Sequence, residues 1–460
     1  MHFLVIGGGF VGCAIACHLL AAAPAGSTIS LVNAGSPLAR GLAYGTQSPL
    51  HMLNVPAARM AWTDAAPDDF TAWLAQHLGP EQEGGAFVQR HLYGEYLAAR
   101  LHEHVASRSD LDWQHRQARI ESLVPQAEGG WTALMADGTS IAAEHVFLAL
   151  GNFKPACPHR NLAELPAGRY ADDPWQPGAT QGLSPDAPVA LIGTGLTMLD
   201  QLLSLDAAGH RGQVLAISRR GLLPQPHRSN ELPPPGWAPP RDWPGKPALG
   251  VAELTRQVRA SVANAVSEGH DWRDVWVALR SRTATLWQGL TPVQRAQFLR
   301  HLQPFWDVHR HRAAPTALEL LVRLRAEGRL RVVAGRLLKC DADSGAVHLR
   351  WQPRNGGEAQ SFEAARVFNC TGPSSRIDRD RAPLFAALQD AGRLRVCELG
   401  LGVHTDASYR LLDATGAPQA GLYYVGPMLK SQHWEATAVP ELRRHAQAAV
   451  AGALRSHQRA

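Results

Sequence analysis

Cysteine is scarce in this chain, and its cysteines form no recognisable motif. The 460 residues include six of them: Cys13, Cys17, Cys157, Cys340, Cys370 and Cys397. None belongs to a C-x-x-C pair, which argues against a thiol–disulfide active site and a zinc site. We therefore expect no metal, reduced thiols and a cytoplasmic location.

Long apolar runs and long runs of one charge are also missing. After residue 23, no segment offers the roughly 20 uninterrupted apolar residues that a membrane span needs. The net charge is +5, but no single basic run accounts for it. We expect a small-molecule substrate, with no nucleic-acid or membrane partner, and the oligomeric state stays open. The length and the 45% hydrophobic content predict two or three globular domains.

The chain begins with a glycine motif that follows an apolar run. Residues Phe3 to Ile6 read as a buried strand, and Gly7, Gly9 and Gly12 have the spacing G-x-G-x-x-G. This pattern opens a dinucleotide-binding βαβ unit, in which a pyrophosphate lies on the N-terminus of the next helix, here Phe10 to Ala22.

Two features qualify that interpretation. Met1 to Ala23 is also apolar enough for a secretory signal, but no Lys or Arg precedes the apolar run, and three consecutive glycines would weaken a signal helix. The second strand, Thr28 to Val32, ends at Asn33, where an acidic residue normally binds the ribose hydroxyls. An Asn still hydrogen-bonds a ribose, but without charge assistance.

The segment from Gly41 to Met60 has no clean period and is predicted to be a long ordered loop beside the first nucleotide site. His51 and Asn54 are its candidate cofactor-binding groups, and His51 is also a catalytic candidate. A lone histidine is as often only a structural residue.

A second strand, turn and helix start follows later in the chain. Pro188 to Ile192 is apolar, and Gly193 and Gly195 begin a turn that leads through Thr197 into a helix, with Met198 in the place of the third glycine. The next strand, Gln213 to Ser218, ends in Arg219 and Arg220. Arginine in that place accommodates the 2′-phosphate of NADPH, although surface arginines at strand ends are common.

The two units share one scheme. In each, hairpin strands lead to a strand that closes on a glycine, Gly151 in the first and Gly372 in the second. A last strand closes on Gly426 and precedes a C-terminal helix. These three glycines are further candidates for cofactor contact. Duplication of the whole scheme is stronger evidence than either glycine motif alone.

Catalytic candidates are fewer. The predominantly helical stretch from Val251 to Val308 ends in a basic and aromatic run in which Arg310 and Arg312 could face an anionic substrate, or simply form a solvated basic turn. Trp434 precedes the last helix, where backbone N–H groups could face a flavin ring; otherwise it is a buried core residue.

Several sequence blocks together resemble a known family. They are Gly41-Leu-Ala-Tyr, His51-Met-Leu-Asn-Val-Pro, Gly193-Thr-Gly-Leu-Thr-Met-Leu-Asp, the run from Trp306 to Arg312, Asn369-Cys-Thr-Gly-Pro and Trp434-Glu-Ala-Thr-Ala-Val-Pro-Glu. The blocks resemble a family of bacterial FAD/NAD(P)-binding proteins, related in architecture to flavin-containing and N-hydroxylating monooxygenases. The resemblance implies FAD at the first site and NAD(P)H at the second.

The expected fold is α/β, with two Rossmann-like dinucleotide-binding domains, β-hairpin additions and a helical insertion. The FAD domain would comprise residues 1–185 and 371–460, and the NAD(P)H domain, residues 186–370, would be inserted in it, with the helical insertion at about 250–312. We expect an FAD-dependent, NADPH-using monooxygenase that hydroxylates a small substrate, for which an amine or an amino-acid-like molecule is the candidate. The alternatives are an NADPH-dependent flavin reductase of an external acceptor and a non-enzymatic flavin redox sensor.

Overall fold

The computed structural model describes residues 1–457, except 36, 47, 80–85, 177, 229–236, 245–249, 344, 375 and 378–381. The elements up to residue 171 are, in chain order, β1 (His2–Ile6), α1 (Phe10–Ala22), β2 (Thr28–Asn33), α2 (Gly41–Tyr44), α3 (Asp69–Leu78), α4 (Arg90–Ala106), β3 (Asp112–Gln117), β4 (Ile120–Pro125), β5 (Trp131–Met135), β6 (Ser140–Ala143), β7 (His145–Leu148) and β8 (Tyr170–Ala171).

The elements of the next stretch are β9 (Val189–Ile192), α5 (Leu196–Ala207), β10 (Val214–Ser218), α6 (Gly250–Ser267), α7 (Trp272–Gly289), α8 (Pro292–His301), α9 (Gln303–Arg310), α10 (Pro315–Ala326), β11 (Leu330–Ala342), β12 (Val347–Pro353), β13 (Gln360–Ala364) and β14 (Arg366–Asn369). The last are α11 (Pro383–Asp390), β15 (Arg410–Leu412), β16 (Pro418–Tyr424) and α12 (Val439–His457). Short 3₁₀ turns lie at Ala57–Arg59, Arg160–Leu162 and Pro427–Ser431.

The first sheet has the strand order β15-β16-β7-β1-β2-β3. Strand β1 pairs in parallel with β2 on one side and with β7 on the other. The strand order therefore reverses at β1. In open α/β sheets, ligands bind in the crevice at the carboxyl end of the strand where this reversal occurs. Strand β7 and the last strand, β16, both return to this first sheet.

Helix α1 is buried almost completely, because it lies between the sheet and the helices α4 and α12. Cys13 and Cys17 are among its buried residues, as expected of small apolar side chains. The segment that could be mistaken for a secretory signal thus forms the core of the first unit.

The second sheet has the order β13-β12-β11-β10-β9-β14-β8 and repeats this arrangement, with β9 between its parallel neighbours β10 and β14. Strand β8 pairs with β14, although the boundary predicted at residue 186 assigns it to the first domain. The second sheet therefore takes up at least one strand from before that boundary, because the connection crosses to the new sheet before β9 begins. The other domain limits stay a prediction.

The remaining differences from the predicted elements are local. The sequence pattern does not predict strands β3, β8, β13 and β15. Strands β4, β5 and β6 form a separate small sheet, whereas the hairpin strands β11 to β13 continue the second sheet. Within the described ranges, no helix is long and apolar enough to cross a membrane.

Candidate cofactor-binding sites

The first glycine turn is closed by backbone contacts that no side chain would permit. Gly7 has φ +114°, and a Cβ there would overlap the carbonyl oxygen of Ala149 at the end of β7. A Cβ on Gly12 would overlap the Gly7 oxygen, so α1 lies directly against the turn. Gly9 is the N-cap of α1 and contributes no side-chain cap. The free N–H groups of α1 are therefore available to a pyrophosphate.

Asn33 lies at the predicted place, the carboxyl end of β2, but it is already engaged. Its Oδ1 lies 2.7 Å from Nε2 of His115 on β3, and the residue is 5% exposed. A Cβ on Gly8 would lie only 2.9 Å from Cβ of Asn33. Gly8 is thus required for packing, which the G-x-G-x-x-G pattern does not reveal. His115 is a second group near the expected ribose that sequence reasoning missed.

The second glycine turn has the same construction and is more open. Gly193 has φ +115°, and a Cβ there would overlap the oxygen of Cys370 at the end of β14. At Gly195, the uncapped N-cap of α5, a Cβ would meet no atom within 4 Å. Thr197 lies in the first turn of α5 and is half-buried. The space above Gly195 suits a second pyrophosphate, in agreement with the motif.

Arg219 and Arg220 lie at the carboxyl end of β10 and are joined by Arg354, which follows β12. One Arg220 nitrogen donates to the carbonyl oxygen of Arg300 at 3.0 Å. Burial and the charges of Arg354 and Arg219 lower the pKa of Arg220. Within the described residues, no carboxylate forms an ion pair with any of these three side chains. The group is a concentration of positive charge suited to a phosphate.

A surface pocket adjoins this arginine group. Its volume is about 510 Å³, and its lining includes Val333, Ala334, Trp351 and Arg354. Ala334 also accepts a backbone hydrogen bond from Arg354 and contacts Gly221. The pocket is large enough for part of a nucleotide next to the positive charge.

His51 lies between the two units, where it contacts α5. Its Nδ1 lies 2.7 Å from Oγ1 of Thr46, and its Nε2 lies 3.0 Å from Oγ of Ser204 on α5. Burial lowers its pKa. Both ring nitrogens are therefore occupied, which favours the structural role over the catalytic one. Asn54 accepts through its backbone oxygen from His227 at 2.9 Å.

The three glycines that end strands differ in their surroundings. Gly151 and Gly372 have positive φ, and a Cβ at either would meet no atom within 4 Å, so both leave open space at a sheet edge. Gly426 has φ +154°, and a Cβ there would lie 2.8 Å from the Tyr424 hydroxyl. Gly426 is therefore needed for packing as well.

Arg310 and Trp434, the other catalytic candidates, have structural partners. Arg310 forms an ion pair with Glu435, at 2.7 Å, and both side chains are mostly buried. Trp434 is 3% exposed and packs against Trp287, with ring centroids 4.7 Å apart. Arg312 is 9% exposed. The idea of a solvated basic turn is wrong, because these side chains are buried, and Arg310 is already neutralised by Glu435.

A charged cluster beside that ion pair was not anticipated. Burial raises the pKa of Asp307 to about 6, and burial together with Arg310, Lys430 and Arg280 lowers the pKa of His311 to about 3. Lys430 lies 4.8 Å from the Trp434 ring centroid. The cluster joins the helical insertion to the C-terminal segment. The sequence signal was the basic run itself, but its acidic partners come from a distant part of the chain.

Among the described residues, one group has the side chains and the spacing to hold a metal ion. It comprises Cys397, Glu398 and His404, whose ligand atoms lie within 4.8 Å of one another. Arg395 lies 3.9 Å from Glu398, and burial, together with the charges of Arg395 and Arg295, lowers the pKa of His404. This positive surrounding opposes a bound cation.

A family model described as FAD-NAD(P)-binding matches residues 4–153. This match confirms the predicted cofactor-binding domain at the N-terminus. No curated protein sequence is a significant match to the chain.

Solved structures resemble the whole chain in fold. The ornithine N-hydroxylase of Kutzneria sp. 744 is 11% identical with a TM-score of 0.66, and the alignment covers 99% of both chains. The L-lysine 6-monooxygenase of Pseudomonas syringae is 14% identical with a TM-score of 0.66, again over 99% of both chains. Thioredoxin reductase of Lactococcus lactis is 10% identical with a TM-score of 0.53, over 100% of this chain and 99% of that one. The predicted α/β architecture with two Rossmann-like units is confirmed.

Proposed function

We propose that this protein is an FAD-dependent, NADPH-using monooxygenase that hydroxylates a small amine. The observation that carries the proposal is the pair of uncapped helix N-termini at glycine turns, one on each sheet, in a chain that shares its fold from end to end with amine-hydroxylating flavoenzymes. One N-terminus suits each dinucleotide.

The FAD pyrophosphate is assigned to the N-terminus of α1, where Gly9 is the N-cap and Gly7 and Gly12 close the turn. Gly8 contacts Asn33, so Asn33 and its partner His115 lie where the adenosine ribose is expected. The ribose would then be held by neutral groups, in place of the usual carboxylate.

NADPH is assigned to the N-terminus of α5, with its 2′-phosphate against Arg219, Arg220 and Arg354. A doubly charged phosphate facing guanidinium groups that no described carboxylate neutralises forms strong charge-assisted hydrogen bonds, which NADH cannot form. The second unit is accordingly the hydride donor's site.

The flavin, when bound, supplies the oxygen chemistry, and the chain's task is to hold the two cofactors and exclude water. The overall reaction is R–NH₂ + O₂ + NADPH + H⁺ → R–NHOH + H₂O + NADP⁺. We propose an amine substrate because two proteins with similar folds are an ornithine N-hydroxylase and an L-lysine 6-monooxygenase.

A disulfide reductase is the less favoured function, because five of the six cysteines are buried and all six are unpaired. Reduction of a disulfide substrate would need a reactive thiol pair in the enzyme, and the chain has no C-x-x-C.

The proposal is tested with FAD-loaded protein, NADPH, O₂ and a panel of primary diamines and diamino acids. Oxygen uptake that depends on the amine, together with a product heavier by one oxygen atom, supports it. NADPH oxidation that depends on quinones or dyes, with no hydroxylated amine formed, would instead indicate an NADPH-dependent flavin reductase of an external acceptor.

A further inference from the structure

A buried ion pair joins the two cofactor-binding units. Arg90, the first residue of α4, donates to both carboxylate oxygens of Asp200 on α5, at 2.7 and 3.1 Å. The Asp200 side chain is 6% exposed and the Arg90 side chain 14%. A bidentate pair of this kind fixes orientation as well as distance.

Arg90 is also tied to the loop that follows the first glycine turn. Its Nε donates to the carbonyl oxygen of Met52 at 2.9 Å, and its backbone N–H donates to the oxygen of His51 at 2.9 Å. One guanidinium thus links the first unit's loop to the helix whose N-terminus faces the second cofactor site.

His51 forms a second link between the same two elements, and its protonation follows from the geometry. The single Ser204 hydroxyl proton is donated to the Asp200 carbonyl oxygen at 3.0 Å. Nε2 of His51 must therefore carry the proton donated to Ser204, at 3.0 Å, and Nδ1 accepts from Thr46 at 2.7 Å. This neutral tautomer satisfies every group in the chain of hydrogen bonds.

We propose that Arg90, Asp200 and His51 are positioning residues that hold the NADPH-binding helix α5 at the distance and angle needed for hydride transfer to FAD. This inference rests on the proposed function. Hydride transfer requires the donor and acceptor atoms to lie about 3–3.5 Å apart and in line, and a displacement of about 1 Å costs roughly 100-fold in rate. The three residues line neither glycine turn, so their loss affects the rate and not the affinity.

The test is anaerobic stopped-flow reduction of FAD-loaded protein at saturating NADPH. Asp200→Asn is expected to slow flavin reduction at least tenfold, while the NADP⁺ dissociation constant and the reduction of FAD by dithionite stay within about twofold of the wild type. Ser204→Ala keeps the ion pair and is expected to show a smaller decrease.

Asp69→Asn is the matched control. Asp69 forms an equally bidentate pair with Arg100, with side chains 19% and 18% exposed, but both residues lie in the first unit. This variant is expected to lose similar stability and to keep the wild-type reduction rate.

The outcomes separate the two proposals. A wild-type protein that NADPH does not reduce overturns the proposed function, and the inference with it. A wild type that is reduced, with Asp200→Asn equally fast or Asp69→Asn equally slow, overturns the positioning role alone. Should Asp200→Asn fail to fold, Arg90→Lys, which removes the bidentate contact with Asp200, provides the same comparison.

Discussion

Arg220 is predicted to distinguish NADPH from NADH. One of its nitrogens is fixed by the Arg300 carbonyl oxygen, its Nε is buried without a partner among the described residues, and Arg219 and Arg354 add positive charge beside it. A hydrogen bond to a charged group contributes about 1.5–3 kcal/mol. Since about 1.4 kcal/mol is tenfold in affinity, Arg220→Ala should weaken NADP⁺ binding roughly 10- to 100-fold.

Titration calorimetry with NADP⁺ and with NAD⁺ measures this effect without any catalysis. NAD⁺ lacks the 2′-phosphate, so its affinity should change little. Arg325→Ala, an exposed arginine on α10 of the same unit, serves as the control for net charge. Equal weakening of both nucleotides by Arg220→Ala, or none of either, would refute the assignment of the phosphate to this group.

Three further predictions concern the second glycine turn, the histidine His18 and the buried ion pair of Arg310 with Glu435. Gly195→Val should fold normally, because no atom lies within 4 Å of a Cβ at that position, but it should lose NADP⁺ binding. Gly193→Val should instead lower the melting temperature, because Gly193 has φ +115°. A normal NADP⁺ affinity in Gly195→Val would contradict the assignment of the NADPH pyrophosphate to this turn. Burial lowers the pKa of His18 to about 4, so between about pH 6.5 and 4 the unfolded state binds a proton that the folded state does not. The free energy of unfolding should therefore fall as the pH decreases through this range. His18→Gln should make this dependence of unfolding free energy on pH less steep in urea titrations, and an unchanged dependence would show that His18 is not its source. Glu435→Gln leaves Arg310 without its charge partner and should lower the free energy of unfolding by about 3–5 kcal/mol in urea titrations. The double variant Arg310→Met/Glu435→Leu, which removes both charges, should lose less stability. A loss below about 1 kcal/mol in Glu435→Gln would argue against a tightly buried ion pair.

The glycine turns and their strands could be predicted because their physical requirements are local. Apolar strands of four or five residues, glycines at positive φ and the helices that follow are written in consecutive residues, and β1, α1, β9 and α5 agree with the prediction to within one residue at the strands. The duplicated scheme also predicted the strands β7 and β14. Their pairing with β1 and β9 joins residues that are distant in the sequence.

The environments of His51 and Arg310 could not be predicted for the opposite reason. Each is fixed by a partner far along the chain: Ser204 lies 153 residues from His51, and Glu435 lies 125 residues from Arg310. A sequence pattern shows that such side chains have suitable chemistry, but not whether a distant residue already occupies them. Strand β3 was missed because its residues are mostly polar and exposed at the sheet edge.

The central claim, that one chain binds FAD and NADPH for hydride transfer between them, is tested most directly by anaerobic stopped-flow absorbance. FAD-loaded protein is mixed with NADPH and, separately, with NADH. We predict rapid bleaching of the flavin by NADPH and much slower bleaching by NADH at the same concentration. No bleaching by either nucleotide would mean that the glycine turn at Gly193 and Gly195 is not a hydride donor's site, and it would contradict the account.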